Sequence, residues 1–219
     1  MIRGAVFDAD GTLLDSMWIW DSIAEDYLRS LNIEPKENLT ELFQSFSLKQ
    51  AAEYYQTHCG VRLSTEEIIR GVDALMERYY REQVALKPGA AGFLMKLREQ
   101  GVKMCIATTT DSHLIKAALE RCGVRNFFEE ILTCAGVGHG KEEPVIYREA
   151  VKRLGVKKEE TLVFEDALHA VQTAKRDGFC TVAVYDRHEK NQEEVKALAD
   201  FCLADFEEDT AFWQFVYSI

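Results

Sequence analysis

The sequence has little of what marks membrane, secreted or nucleic-acid-binding proteins. No apolar run approaches the length of a transmembrane helix, and the first run, "IRGAVF", is too short for a signal peptide. The six cysteines are scattered without a C-x-x-C pair. Lys and Arg number 26 against 37 Asp and Glu, and the net charge of -11 argues against nucleic-acid or anionic-membrane partners. We therefore expect a reduced, cytoplasmic protein that binds neither.

What is present is an ordinary globular composition arranged in a regular alternation. Of the 219 residues, 47% are hydrophobic and 29% are charged, which suits one or two domains with a real core. Short apolar runs alternate with amphipathic stretches, several of which end at a glycine that can cap a helix. The runs are "GAVF", "VKMCIA", "EEILT", "TLVF" and "CTVAVY", and the glycines are Gly101, Gly123, Gly155 and Gly178. This alternation predicts βαβ units and a parallel sheet.

One segment departs from this alternation. From about Met17 to Val84 the patterns are helical only, and Ser64 with Glu67 forms a capping box. Pro88 and Gly89 mark the return to the alternating pattern. We therefore predict an α/β core domain over 1–15 and 87–219, with an α-helical domain inserted over 16–86.

Polar side chains follow four of the apolar runs, where an open parallel sheet binds its ligands. Asp8 and Asp10 follow the first run, and the threonines 108–110 follow "MCIA". Lys141 lies in the loop after "EEILT", and Glu165 with Asp166 comes at the end of "TLVF". The simpler alternative for Asp8 and Asp10 is a strand followed by an Asx-type turn.

These residue types suit phosphoryl transfer from a magnesium-bound ester. Mg2+ prefers hard oxygen ligands such as carboxylates and phosphate oxygens. Thr108, Lys141 and main-chain N–H groups after Asp8 can hold the transferring oxygens. A carboxylate can serve as the nucleophile, and a second one, two residues on, can protonate the leaving oxygen and later activate water.

The motifs resemble those of the haloacid dehalogenase superfamily, in its phosphatase branch and close to the β-phosphoglucomutase-like subgroup. "VFDADGTL" resembles the first motif, "IATTT" the second, "GK" at Lys141 the third and "VFEDA" the acidic fourth. The order and spacing of the motifs are those of the family, and the similarity covers nearly the whole chain. The helical insert lies where that family has a small cap domain. The fold implied is a Rossmann-like parallel sheet core with an inserted α-helical cap.

The resemblance implies a role for each of the candidate residues. Asp8 would be the nucleophile and Asp10 the general acid and base, while Thr108, Thr109 and Lys141 would bind the phosphate. Asp8, the Asp10 carbonyl and Asp166 would bind Mg2+, with Glu165 as a ligand or a neighbouring support. The presence of Asp10 also counts against a dehalogenase, because that branch lacks the second aspartate.

Three departures from the family pattern concern the loops and the cap. Glu142 and Val145 alter the loop of Lys141, and Ala167 and Ala170 replace the usual Ser and Gly after the fourth motif. Trp20 stands where a sugar-phosphate mutase would carry a histidine. "SMWIW" is open to two interpretations, a substrate wall or core packing. Asp15 and Ser16 are expected to cap the first helix of the insert.

The resulting hypothesis is a Mg2+-dependent phosphatase of a small phosphorylated metabolite, acting through an aspartyl-phosphate. The alternative is a β-phosphoglucomutase-type phosphosugar mutase. A different class, a non-catalytic protein that binds a phosphometabolite or a partner, is disfavoured because every motif residue needed for turnover is present. We expect a monomer or weak dimer.

Overall fold

The central sheet has six strands, all parallel to their neighbours. The computed structural model describes residues 1–43 and 46–219. In these residues the sheet order is β5-β4-β1-β6-β7-β8, and β2 pairs with β3 in a separate antiparallel ribbon. The strands are β1 Gly4–Phe7, β2 Leu14–Asp15, β3 Ala85–Leu86, β4 Lys103–Thr108, β5 Phe128–Thr133, β6 Thr161–Glu165, β7 Cys180–Val184 and β8 Phe201–Leu203. The predicted α/β fold with a Rossmann-like sheet is confirmed.

Helices separate the strands of the sheet, as a parallel arrangement requires. They are α1 Ile23–Ser30, α2 Leu39–Phe43, α3 Leu48–His58, α4 Thr65–Glu82, α5 Ala90–Glu99, α6 Ser112–Arg121, α7 Cys134–Val137, α8 Val145–Leu154, α9 Leu168–Arg176, α10 Gln192–Leu198 and α11 Thr210–Ser218. Three 3-10 helices cover Met17–Asp21, Arg125–Phe127 and Lys158–Glu160. The four glycines expected at helix ends all have positive φ, from 64° to 81°.

The core lies on both faces of the two central strands. Every residue of β1 and β6 is buried, which is typical of a parallel sheet covered by helices on both sides. Phe7 of β1 stacks on Phe164 of β6 at 4.1 Å between ring centroids. On the α8 side, Tyr147 and Leu154 pack against Val6 and Val163. This packing fixes the register of β1 and β6, and therefore where their carboxyl ends meet.

The helical insert forms a compact unit of its own, Met17–Gln83, and the rest of the described chain forms the other, Met1–Ser16 with Val84–Ile219. Within the helical unit, the Tyr55 hydroxyl donates to the Ala24 carbonyl at 2.8 Å, and the Tyr79 hydroxyl donates to Asp26 at 2.9 Å. The Ser64 capping box is present at the start of α4. The assignment of this unit as a substrate cap stays a prediction.

Two other features bear on the sequence predictions. The six cysteines are free thiols. Among the helices of the described residues, none combines the length and the apolar character needed to cross a bilayer.

Candidate active site

Three buried carboxylates meet at the carboxyl edge of the sheet. Asp8 directly follows β1, Glu165 ends β6 and Asp166 follows it. Because β1 and β6 are adjacent and in register, from Gly4 with Thr161 to Phe7 with Phe164, these residues end side by side. One carboxylate oxygen from each lies within 4.8 Å of the others. The structure thus brings three of the predicted site residues together.

Lys141 joins this cluster from the loop between α7 and α8. Its side chain is 4% exposed, and its Nζ lies 2.5 Å from Asp8 Oδ1 and 2.8 Å from Glu165 Oε1. Burial opposes the ammonium charge, but the carboxylates of Asp8 and Glu165 outweigh it and raise the pKa of Lys141. The departures at Glu142 and Val145 therefore leave the lysine in contact with the site.

The cluster carries more negative charge than one lysine offsets. Burial raises the pKa of Asp8, and the charge of Asp10 adds to this against the effect of Lys141. Burial also raises the pKa of Glu165 to about 8 and that of Asp166 to about 7, with the charge of Asp8 contributing to both. Groups of this kind favour either protonation or a bound cation.

The donor set fits a hard divalent cation. Asp8, Glu165 and Asp166 offer carboxylate oxygens, the ligands that Mg2+ prefers. Glu165 Oε2 is buried and has no hydrogen-bond partner in the part of the chain that the structure describes. A buried carboxylate oxygen of this kind is costly unless an ion or a donor approaches it. These three side chains could therefore hold a metal.

Two hydroxyl groups order the turn after β1, one by a bond to the cluster and one by a bond within the turn. The Thr12 hydroxyl donates to Asp166 Oδ1 at 2.8 Å, and the Ser16 hydroxyl donates to Asp10 Oδ1 at 2.6 Å. Asp15 and Ser16 are predicted from the sequence to cap the first helix of the insert, but the Ser16 hydroxyl is used by Asp10 and Asp15 is paired in β2. The residue at the N-cap position of α1 is Ser22. Gly11 has φ 78°, a conformation that this tight turn needs. The turn therefore sets the position of Asp10 relative to the buried cluster.

The two threonines of the second motif have different environments. Thr108 ends β4 and is fully buried, and its Oγ1 accepts the Thr110 N–H at 3.1 Å. Thr109 is exposed. Because β4 lies beside β1, both residues reach the same edge of the sheet as Asp8. Their role in phosphate binding stays a prediction.

Three other polar residues at this edge were missed from the sequence. The Tyr147 hydroxyl donates to Glu165 Oε1 at 2.8 Å from α8. Lys87 forms a buried ion pair with Asp186 at 3.0 Å. Burial raises the pKa of Asp166, and the charge of Lys87 partly opposes that rise. Tyr147 and Lys87 occur in stretches with ordinary helix and turn patterns, so only Asp186, which follows the run "CTVAVY", carried a positional signal.

Comparison with known proteins places the chain in one family. The model of the haloacid dehalogenase-like hydrolases matches residues 2–178. A glyceraldehyde 3-phosphate phosphatase of Methanopyrus kandleri is 29% identical over 95% of this chain and 94% of its own. Hexitol phosphatase B of Escherichia coli K12 is 24% identical over 96% of this chain and 95% of its own.

The similarity extends to a solved structure. The crystal structure of CbbY from Rhodobacter sphaeroides in complex with phosphate superposes with a TM-score of 0.74 at 25% identity. The match covers 96% of this chain and 97% of that chain. The resemblance noted in the four motifs is confirmed by the family match: the chain is an enzyme that belongs to the haloacid dehalogenase-like hydrolases.

Proposed function

We propose that this enzyme is a Mg2+-dependent phosphatase that hydrolyses a small phosphorylated metabolite through an aspartyl-phosphate. Its class is the predicted one, since the family match and the phosphatase names of its relatives support a phosphoric monoester hydrolase. The observation that carries the proposal is the buried cluster in which Asp8, Glu165 and Asp166 lie together and Lys141 binds Asp8.

Asp8 is the nucleophile in this proposal. Its carboxylate oxygen forms a bond to phosphorus while the bond from phosphorus to the ester oxygen breaks. Asp10, held by Ser16, gives the proton to the departing oxygen. Asp10 then takes a proton from water, whose oxygen attacks phosphorus and releases phosphate and free Asp8. Water is the final acceptor, so the net reaction is hydrolysis.

The charges at the cluster account for how a phosphate dianion can approach it. Carboxylates alone would repel the substrate, and Lys141 offsets one negative charge. Asp8, Asp166 and the Asp10 carbonyl would hold Mg2+, with Glu165 as a further ligand or support. The bound ion would offset the remaining charge and orient the phosphate oxygens. Thr108, Thr109 and Lys141 would hold the other phosphate oxygens.

The relatives support the substrate class. One is named for glyceraldehyde 3-phosphate and the other for hexitols, and both names refer to small hydroxylated compounds. We propose that the helical unit 17–83 is the cap that selects among such compounds. A screen of phosphorylated metabolites for Mg2+-dependent phosphate release identifies the substrate. A cytoplasmic location and a monomer or weak dimer stay predictions.

The mechanism is tested with Asp8→Asn. The amide is nearly isosteric but cannot act as an anionic nucleophile, so phosphate release should fall at least 1000-fold, on the order of the loss expected for a covalent nucleophile. The matched control is Asp73→Asn on the exposed surface of α4, which should keep full activity. Substantial turnover by folded Asp8→Asn protein would rule out the covalent mechanism.

A further inference from the structure

Helix α9 begins shortly after Glu165 and Asp166, and no side chain at its own N-cap position caps it. Its first residue is Leu168, two positions after Asp166. The residue at the N-cap position is Ala167, whose side chain makes no cap hydrogen bond. The first-turn N–H groups of a helix need acceptors from outside the helix. The start of α9 therefore depends on another part of the chain.

The acceptor comes from the loop that follows β7. Glu189 Oε2 accepts the Leu168 N–H at 3.0 Å. The other oxygen, Oε1, accepts the Asn191 N–H at 2.7 Å, within the same loop. A carboxylate at this place also interacts favourably with the positive end of the helix dipole. Glu189 thus gives the first turn of α9 a side-chain acceptor, as an N-cap side chain does for other helices, although it accepts the first N–H of the helix and an N-cap residue accepts the second or third.

The loop that carries Glu189 is fixed at its base by a buried ion pair. Asp186 is 4% exposed, with Oδ1 accepting the His188 N–H at 2.9 Å and Oδ2 3.0 Å from Lys87 Nζ. The backbone N–H of Glu189 donates to the Asp186 carbonyl at 3.2 Å. Glu189 lies only three positions after Asp186 of the ion pair, so the position of the carboxylate is well defined.

Lys87 links the same base to the turn after β1. Its Nζ donates to the Tyr185 carbonyl, and its backbone N–H donates to the Leu13 carbonyl at 2.8 Å. The neighbouring Thr12 hydroxyl bonds Asp166 Oδ1. Asp166 is therefore supported from two directions, through its carboxylate by Thr12 and through its backbone by the start of α9.

We propose that Glu189 is a positioning residue for metal binding, which caps α9 from another loop and thereby fixes Asp166. The inference rests on the proposed function, in that Asp166 is taken as a metal ligand. Loss of the Glu189 carboxylate frees the first turn of α9 and loosens the main chain at Asp166. Groups that orient a metal ligand typically change metal affinity by about 10–100-fold when removed.

The decisive experiment combines a loss with a local rescue. In Glu189→Ala, the dissociation constant for Mg2+, measured by calorimetry on the folded protein without substrate, should rise about tenfold. Adding Ala167→Ser should restore the affinity to within about threefold, because Ala167 has φ -85° and ψ 133°, the extended conformation in which serine caps a helix. Glu194→Ala, exposed at the start of α10, is the matched control and should bind as wild type does.

The outcomes separate this inference from the proposed function. If Glu189→Ala binds Mg2+ with wild-type affinity, the inference is wrong but the proposed phosphatase function still stands. The same conclusion follows if Glu189→Ala loses affinity and Ala167→Ser does not restore it. If the wild-type protein neither binds Mg2+ nor releases phosphate in a Mg2+-dependent way, both the inference and the proposed function are wrong. If Glu189→Ala does not fold, Glu189→Gln is measured instead, because its neutral oxygen still accepts the Leu168 N–H but no longer carries the charge that favours the start of the helix. The dissociation constant for Mg2+ should then rise about two- to fivefold, and adding Ala167→Ser should reverse the rise. Wild-type affinity in Glu189→Gln overturns the inference.

Discussion

Two side chains of different charge hold Glu165 by the same oxygen. Lys141 Nζ and the Tyr147 hydroxyl each lie 2.8 Å from Oε1, and Oε2 has no such partner among the residues that the structure describes. This asymmetry keeps one oxygen engaged within the protein and leaves the other for a ligand. Tyr147 therefore contributes to the site from α8, although it follows no strand of the sheet.

The contribution of Tyr147 can be measured with Tyr147→Phe. The change removes one donor from a buried carboxylate while keeping the ring and its packing, so the free energy of unfolding should fall by about 1–2 kcal/mol. Urea denaturation of metal-free protein measures it. Tyr217→Phe is the control, since that ring is 74% exposed, and should stay within about 0.5 kcal/mol of wild type. An unchanged midpoint for Tyr147→Phe would mean that the hydrogen bond has no net effect.

The residues that can be predicted from sequence are those whose place follows from strand ends. Asp8, Glu165 and Asp166 come at the ends of buried runs, and parallel neighbours must bring such ends together. The partners Thr12 and Tyr147 depend on how a turn and a helix pack on the sheet. Thr12 bonds a residue 154 positions away, and no local pattern encodes that distance.

At the scale of elements, the first residue of β1 has no free space for a side chain. A Cβ at Gly4 would lie 2.8 Å from both Thr161 Oγ1 and Val156 Cγ2. Gly4→Ala should therefore lower the free energy of unfolding by about 1–3 kcal/mol through overpacking. Gly92→Ala in α5, with no atom within 4 Å, is the matched control and should gain about 0.5–1 kcal/mol through helix propensity. Equal effects in chemical denaturation would contradict this account.

The 3-10 helix Met17–Asp21 bears on the choice between phosphatase and mutase. Ile19 is buried, Trp18 packs on Tyr79 at 5.2 Å between ring centroids, and Trp20 is 47% exposed. The segment 17–28 contains no lysine or arginine, whereas a mutase cap must hold the negatively charged second phosphate of its intermediate. Of the two tryptophans, Trp18 thus packs inside the helical unit and Trp20 lies at the surface.

We therefore expect hydrolysis in preference to transfer between sugar oxygens. With β-glucose 1-phosphate and a trace of the 1,6-bisphosphate, the enzyme should form no more than traces of glucose 6-phosphate. A monophosphorylated substrate found by screening should release free phosphate in the same buffer. Rapid glucose 6-phosphate formation without free phosphate is the result that would favour the mutase.

The elements missed from sequence are the shortest ones. Five apolar runs correspond to β1 and to β4–β7, and each of these strands has four to six residues. β8 has three residues, with an exposed Cys202 at its centre, and β2 and β3 have two residues each. Such strands exist because a neighbouring strand offers hydrogen bonds, and composition alone does not reveal them.

At the scale of the whole molecule, the buried carboxylates make stability depend on pH and on metal. The pKa values of Glu165 and Asp166 are raised in the folded state, to about 8 and about 7. The stability that these two groups contribute is therefore fully present at a pH below the pKa values that they have in the unfolded chain. It is lost as the pH rises to about 8. Metal-free protein should therefore lose stability between pH 5 and pH 8.

This linkage is checked by thermal unfolding across that pH range. Asp166→Asn removes one titrating carboxylate and should reduce the loss between pH 5 and pH 8 by about 1–3 kcal/mol. Mg2+ should raise the Tm of wild type more at pH 8 than at pH 5, because the ion competes with protons for the same oxygens. Asp73→Asn should follow wild type. A pH-independent effect of Mg2+ would place the ion elsewhere.

The antiparallel ribbon of β2 and β3 determines how large an insertion the sheet domain can carry at this point. Leu14 pairs with Leu86 and Asp15 with Ala85, so the chain leaves the sheet domain and re-enters it at neighbouring points. To the sheet, the whole segment 17–83 is equivalent to the turn of a hairpin. Loop-closure entropy grows only with the logarithm of length, so an insertion here adds little to the entropy of ordering the sheet. A helical segment of another length or sequence can therefore be accommodated at this junction without altering the order of the strands in the sheet.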